Sequence, residues 1–360
     1  MGIRVRSLLP LAVTSLAVAS CSAPAPSGSG PAHATPPANP PASASPRSPS
    51  PASASPAGSA RPGTVVPGQA LPAPADLVPF GPAGAGQGVW RPAGRPVAEN
   101  GQSVRAVYET TLIPPGGTQP AGIAWLDTGL LAARLYSGSV SPGGGPYRYT
   151  APIRPAQAAT LVAAFNGGFK MNQARGGYYT EGRAIDPLRA GAASLVIYAD
   201  GSVGIGAWGR DVTMTPQVVS VRQNLLPLVA GGRPTPRAAS ARWQAWGSTC
   251  GASSCAPTVP GIKHQWRSGL GITADGALVY VAGPALDPLQ LAQLLVRAGA
   301  VRGMQLDINP NWPVFVTYDP PAGGRAAVAN GRKLLSGTAQ GPWTFFESSW
   351  ARDFITMSAR

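Results

Sequence analysis

Past residue 75 the chain alternates apolar and polar positions in short runs separated by Gly, Pro, Asn and Asp, a pattern that predicts strands with few helices. The clearest hairpin runs from Ser194 to Trp208 and turns at Asp200-Gly201; a second runs from Gly269 to Ala282 and turns at Asp275-Gly276. Asp-Gly between apolar runs suits a type I′ turn, whose two central residues both need positive φ. Both hairpins contain Ile-x-Ala-Asp-Gly, a hint of a duplicated unit.

The period becomes helical after the second hairpin. Asp287 is placed to cap a helix with Pro288 in its first turn, and Leu291, Leu294, Leu295 and Ala298 form its apolar stripe up to Gly299. The strand that follows, Gly303 to Asp307, delivers Asp307 to its end. A shorter helix over Pro155 to Val162 likewise leads into a strand ending at Asn166. Together these elements predict an α+β fold, with mixed, largely antiparallel sheets built from hairpins, a few flanking helices, and polar residues poised at strand ends. Gly204-x-Gly206-x-x-Gly209 has the spacing of a dinucleotide-binding loop, but it lies inside a hairpin strand with no helix after it, so the motif is rejected.

The N-terminus changes the domain picture. Arg4 and Arg6 precede an apolar run from Leu8 to Ala19, and Val18-Ala19-Ser20-Cys21 has the form of a lipobox. That run is too short for the roughly 20-residue helix that spans a bilayer. Residues 1–20 read as a lipoprotein signal peptide, with Cys21 as the lipidation site on the outer face of the cell membrane. Residues 21–75 are rich in Pro, Ala, Ser and Gly and read as a disordered, extended linker. Residues 76–360 remain for one large folded domain. In an exported protein Cys250 and Cys255, separated by four residues in a Gly/Ser-rich loop, read as a disulfide.

Charge narrows the partners. The chain carries 28 Lys+Arg against 14 Asp+Glu. Only Arg4, Arg6, Arg47 and Arg61 of those cations precede residue 76, and Lys170, Lys263 and Lys333 are the only lysines. Arginine suits bidentate contacts to phosphate. Export argues against nucleic acid and favours phosphorylated or anionic glycans, beside the membrane that the lipid anchor engages.

The segment from Ala163 to Gly182 holds the most unusual chemistry. In Asn166-Gly167-Gly168-Phe169, directly after a strand, two glycines permit close backbone approach to a ligand, and Asn166 can bond a sugar hydroxyl or a phosphate oxygen. The same residues also suit a sharp turn. Glu181 and Asp307 supply carboxylates, and Arg267 and His264 stand just ahead of the second hairpin.

Ala-Ala-Phe-Asn-Gly-Gly-Phe, the apolar hairpin after Arg267, a helix ending in Gly-Ala and a strand ending in Leu306-Asp307 occur in the order seen in phosphodiester glycosidases, which the chain resembles from about Val104 to Ser336. The family usually continues its Leu-Asp with a glycine-rich run. Here it continues Ile308-Asn309-Pro310-Asn311-Trp312, which replaces backbone donors with two amides and an indole.

The resemblance implies hydrolysis of a sugar-1-phosphodiester, in which a carboxylate assists an oxocarbenium-like transition state and cations hold the phosphate. It implies Asp307 as the catalytic carboxylate. Glu181 is the second candidate, and Arg267 the phosphate clamp. Asn166, Gly167, Gly168, Asn309, Asn311, Trp312 and His264 complete the substrate-binding set. A catalytically inactive relative that binds anionic glycans or wall polymers is the alternative. No cofactor is expected and no cluster has metal-ligand spacing, although oxygens around Asp307 suit a hard divalent cation.

Overall fold

The computed structural model describes residues 65–82, 84–240, 243–247, 263–347 and 350–360. Cys21, Cys250 and Cys255 lie outside them, as do residues 1–20 and residues 21–64 of the linker. Among the described residues no helix is long and apolar enough to cross a membrane.

The fold is mainly β, which corrects the α+β expectation. An eight-stranded sheet, two five-stranded sheets and a two-stranded ribbon are built from antiparallel pairs. Two of the three α-helices among the described residues, Pro155–Ala158 and Met171–Ala174, are single turns. Pro155 to Val162 does not continue as a helix, because Leu161 and Val162 begin the wholly buried strand Leu161–Asn166. Their β-branched and apolar side chains pack better between two neighbouring strands than on a lone turn.

The one long helix follows its sequence signals. Pro288–Arg297 is capped by Asp287, whose carboxylate accepts from Gln290 N at 2.7 Å, and Gly299 leaves the helix with φ 92°. Its stripe of Leu291, Leu294 and Leu295 packs with Val229, Val279 and Val281 of the large sheet. The opposite face of that sheet contributes Leu270, Tyr280, Met304 and Leu306 to the central core, where they meet Leu195 and Ile205 of one five-stranded sheet and Phe165, Phe315 and Ile355 of the other. The core therefore lies where the three sheets meet.

Both hairpins occur, Ala193–Tyr198 with Val203–Ala207 and Gln265–Thr273 with Leu278–Leu286. Their turns are not type I′. Only Gly201 (φ 78°) and Gly276 (φ 97°) take positive φ, so each loop is a tight turn followed by a left-handed glycine. The I′ geometry appears instead at Glu181-Gly182 (φ 51° and 74°), which joins Tyr178–Thr180 to Arg183–Asp186 across the Thr180↔Arg183 pair.

Candidate functional site

Four chain segments meet at one end of the large sheet. Leu161–Asn166 and the C-terminal strand Phe354–Ala359 pair with Asn166 opposite Phe354. Ala300–Ile308 pairs with Gln265–Thr273, and Arg267 stands opposite Ile308. This pairing brings the end of one strand, Asn166, near Asp307 by way of Ser268. The Ser268 hydroxyl accepts from Asn166 Nδ2 at 3.0 Å and from Asp307 N at 3.1 Å. The Asn166 amide is fully used inside the protein. Its oxygen accepts from Tyr280 OH (2.8 Å) and Val314 N (3.0 Å), and its nitrogen also donates to Gly167 O (2.8 Å).

Asp307 is 4% exposed and meets Arg352, a residue the sequence reading missed. Arg352 Nη2 donates to Asp307 Oδ2 at 2.5 Å and to Gly168 O at 2.6 Å. The guanidinium lies 4.5 Å from the centre of the Trp312 ring, and Trp312 in turn meets Trp350 at 6.1 Å between ring centres. Arg352 is itself 5% exposed, yet its Nε has no hydrogen-bond partner among the described residues. A buried N–H without an acceptor carries a desolvation cost that an incoming oxyanion relieves. Burial pushes the Asp307 carboxyl up to about 7, with the Arg352 charge and the Ile308 N–H opposing that rise.

Behind this pair sits a second one. Arg222 donates from Nε to Asp353 Oδ2 at 2.8 Å and from Nη2 to Asp353 Oδ1 at 3.2 Å, with both side chains wholly buried. Arg222 also donates to the Phe169 carbonyl and to Gln223 O, and Asn224 bridges Phe169 N to the carbonyls of Gln305 and Leu306. These contacts hold the Asn-Gly-Gly-Phe turn against the strand that carries Asp307. They also revise the role read for the glycines. A Cβ on Gly167 would stand 2.0 Å from Asp353 Oδ2, and one on Gly168 would stand 2.8 Å from Asn224 Oδ1. The close approach that the glycines permit is to the protein's own polar side chains, not to a ligand.

The other expected residues are distributed differently. Arg267 is fully buried, and its five N–H groups go to Leu286 O, Trp246 O, Gln305 Oε1, Gly247 O and Lys263 O. Without a carboxylate in contact, burial pulls it down to about 10. No donor is left to clamp a phosphate, so Arg267 fastens the 246–247 segment to the sheet instead. Glu181 is exposed and accepts from the backbone N–H groups of Arg148 and Tyr149 at 3.1 Å each, in a cavity that none of the Asp307 cluster lines. His264 is exposed and, among the described residues, pairs only with the helix-capping Asp287, at 3.8 Å. Asn309 (φ 62°) accepts from Asn311 N at 2.9 Å in a turn that presents Asn311 to solvent and leaves Trp312 beside Arg352. The site therefore gathers Asn166, Gly167, Gly168, Asp307 and Trp312, adds Arg352, Asp353, Arg222, Asn224 and Ser268, and leaves Glu181, His264 and Arg267 outside. Among the described residues no three His, Cys, Asp or Glu side chains group as a metal site.

No protein-family model matches the chain, and no curated protein matches its sequence. Several solved structures are distantly similar. The zebrafish N-acetylglucosamine-1-phosphodiester alpha-N-acetylglucosaminidase catalytic domain, auto-inhibited by its pro-peptide, aligns with TM-score 0.42 and 14% identity over 75% of this chain and 88% of that one. A hypothetical protein from Synechocystis aligns with TM-score 0.37 and 13% identity over 74% of this chain and 64% of that one. An exported protein from Burkholderia pseudomallei aligns with TM-score 0.34 and 12% identity over 67% and 75% respectively.

Proposed function

We propose that this chain is an extracytoplasmic hydrolase that cleaves glycosyl phosphodiesters, with Asp307 as its catalytic carboxylate and Arg352 as the group that holds the phosphate. The observation that carries the reading is a buried carboxyl raised towards neutral pH, in contact with a guanidinium whose Nε lacks an acceptor. Such a carboxyl is matched to proton transfer near pH 7. In the proposed step a water oxygen bonds to the anomeric carbon while the bond from that carbon to the phosphate oxygen breaks. Asp307 takes the water's proton and later returns it to solvent, so the products are free sugar and a phosphate monoester. Arg352 stabilises the departing phosphate, and the half-buried Trp312 offers its indole to the sugar ring. Asn166 acts at one remove, by fixing Ser268 and through it the backbone of Asp307.

The test is release of reducing sugar from a synthetic sugar-1-phosphodiester. Turnover by the full chain and at least a thousandfold loss in Asp307→Asn support the reading; equal rates in both reject it. The second reading, an inactive glycan binder, draws support from the Ile308 to Trp312 replacement and from the 2.5 Å contact that occupies Asp307. It expects glycan binding without turnover. The extracytoplasmic location rests on the lipobox at Cys21, and labelled fatty acid should enter the chain but not Cys21→Ala.

A further inference from the structure

A pair of cavities lined by none of the Asp307 cluster carries an unpaired arginine cluster. Arg134, on the strand Leu131–Tyr136, and Arg148, in the loop that follows, line two adjoining cavities of about 340 and 410 Å³; Tyr149 lies between them and Arg154 joins the second. The guanidiniums of Arg134 and Arg148 sit 4.2 and 5.3 Å from the centre of the Tyr149 ring, which holds both in place without using their N–H edges. All three arginines are exposed, and none has a carboxylate within ion-pair distance among the described residues. Glu181 is the one carboxylate lining either cavity, and both its oxygens face backbone N–H groups of the loop. The cleft is thus cationic and of ligand size, with two compartments that share one wall.

We infer that these paired cavities bind a linear polyol-phosphate polymer through successive phosphodiester groups, one in each compartment, as a site separate from Asp307. Planar guanidiniums match phosphate oxygens in pairs, and rings that fix them beforehand lower the ordering cost of binding. The guanidiniums line concavities, which a strand-like polyanion can enter and a bilayer surface cannot. The inference does not depend on hydrolysis at Asp307.

The experiment is calorimetric titration of the full chain, carrying Cys21→Ser to keep lipid off, with a glycerol-phosphate oligomer. Parallel titrations use a neutral dextran oligomer, inorganic phosphate, and phosphatidylcholine vesicles containing phosphatidylglycerol. The expected result is salt-dependent binding of the phosphate oligomer, tighter than inorganic phosphate, with no dextran binding. Combined Arg134→Gln and Arg148→Gln should weaken it at least tenfold, Arg148→Lys should weaken it less, and thermal melting should be unmoved because both side chains are exposed. Unchanged affinity in the double variant overturns the proposal, as does vesicle binding as strong as oligomer binding.

Discussion

Arg352 Nη2 bridges Asp307 Oδ2 at 2.5 Å and the carbonyl of Gly168 at 2.6 Å, so one nitrogen ties the C-terminal segment to both the acid and the Asn-Gly-Gly turn. The contact explains why a carboxylate can be kept almost wholly buried. It also places the cation that the proposed chemistry needs within the same contact. Its neighbour Asp353 makes the companion pair with Arg222, so two consecutive residues anchor two different buried partners.

The first expected outcome concerns pH. Burial holds Asp307 at about 7 against an ordinary 3.8, so the folded state binds that proton more tightly than the unfolded chain does. Its contribution to stability is fully present below about pH 4, declines as pH rises, and is lost above about pH 7. Urea unfolding at pH 4, 5.5 and 8 should show the stability of the natural chain falling relative to Asp307→Asn across that window. A difference that is flat, or that rises with pH, contradicts the burial argument. If Asp307 works as a base, kcat/KM should climb with pH to a midpoint near 7.

The Arg222–Asp353 pair is the stronger structural link. Asp353→Asn leaves a fully buried guanidinium without its countercharge, and breaking such a pair costs about 3–5 kcal/mol. Denaturant titration should register a loss of that order. The same substitution should lower kcat more than it raises KM, since Asp353 positions the turn without touching substrate. A loss under 1 kcal/mol would mean the pair is dispensable.

Much of this site was legible in the chain, for identifiable reasons. Asn166 and Asp307 each end an apolar run, and a polar residue at a strand end is a local signal. Asp287, Pro288 and Gly299 marked the long helix because caps are local too. Arg352 and Asp353 were not legible: they acquire partners only when Phe354–Ala359 pairs beside Leu161–Asn166. Arg267 misled for the converse reason. An arginine reads as surface or ligand-facing, and nothing local announces that five acceptors from distant loops surround it. The α+β expectation failed because the apolar stretch after Pro155 forms a single turn before entering a buried strand, and only sheet pairing decides that.

Gly167→Ala tests the reinterpreted glycines. Its new methyl would meet the Asp353 carboxylate at 2.0 Å, with the carbonyl of the same residue 2.8 Å away. Overpacking of this kind costs about 1–3 kcal/mol where the neighbour can shift, and Asp353 is fixed by Arg222. Melting should fall by several degrees, and Gly167→Ala should cost less in an Asp353→Ala background than in the natural chain. An equal cost in both backgrounds would mean that the glycine serves something other than Asp353.

Trp312→Ala should raise KM about tenfold, equal to about 1.4 kcal/mol of lost contact, with kcat reduced less than threefold. The indole also lies on Arg352, so Trp312→Phe should keep most of the affinity by retaining a ring 4.5 Å from the guanidinium. Steady-state kinetics on the three chains decides the point; a larger effect on kcat than on KM would assign Trp312 to the chemistry itself.

The most direct measurement is turnover of a sugar-1-phosphodiester in ¹⁸O-labelled water, followed by mass spectrometry of both products. Attack at the anomeric carbon assisted by Asp307 puts the label in the sugar and none in the phosphate monoester. Label in the phosphate would mean that the phosphorus–oxygen bond breaks, and would contradict the role assigned to Asp307 and Arg352.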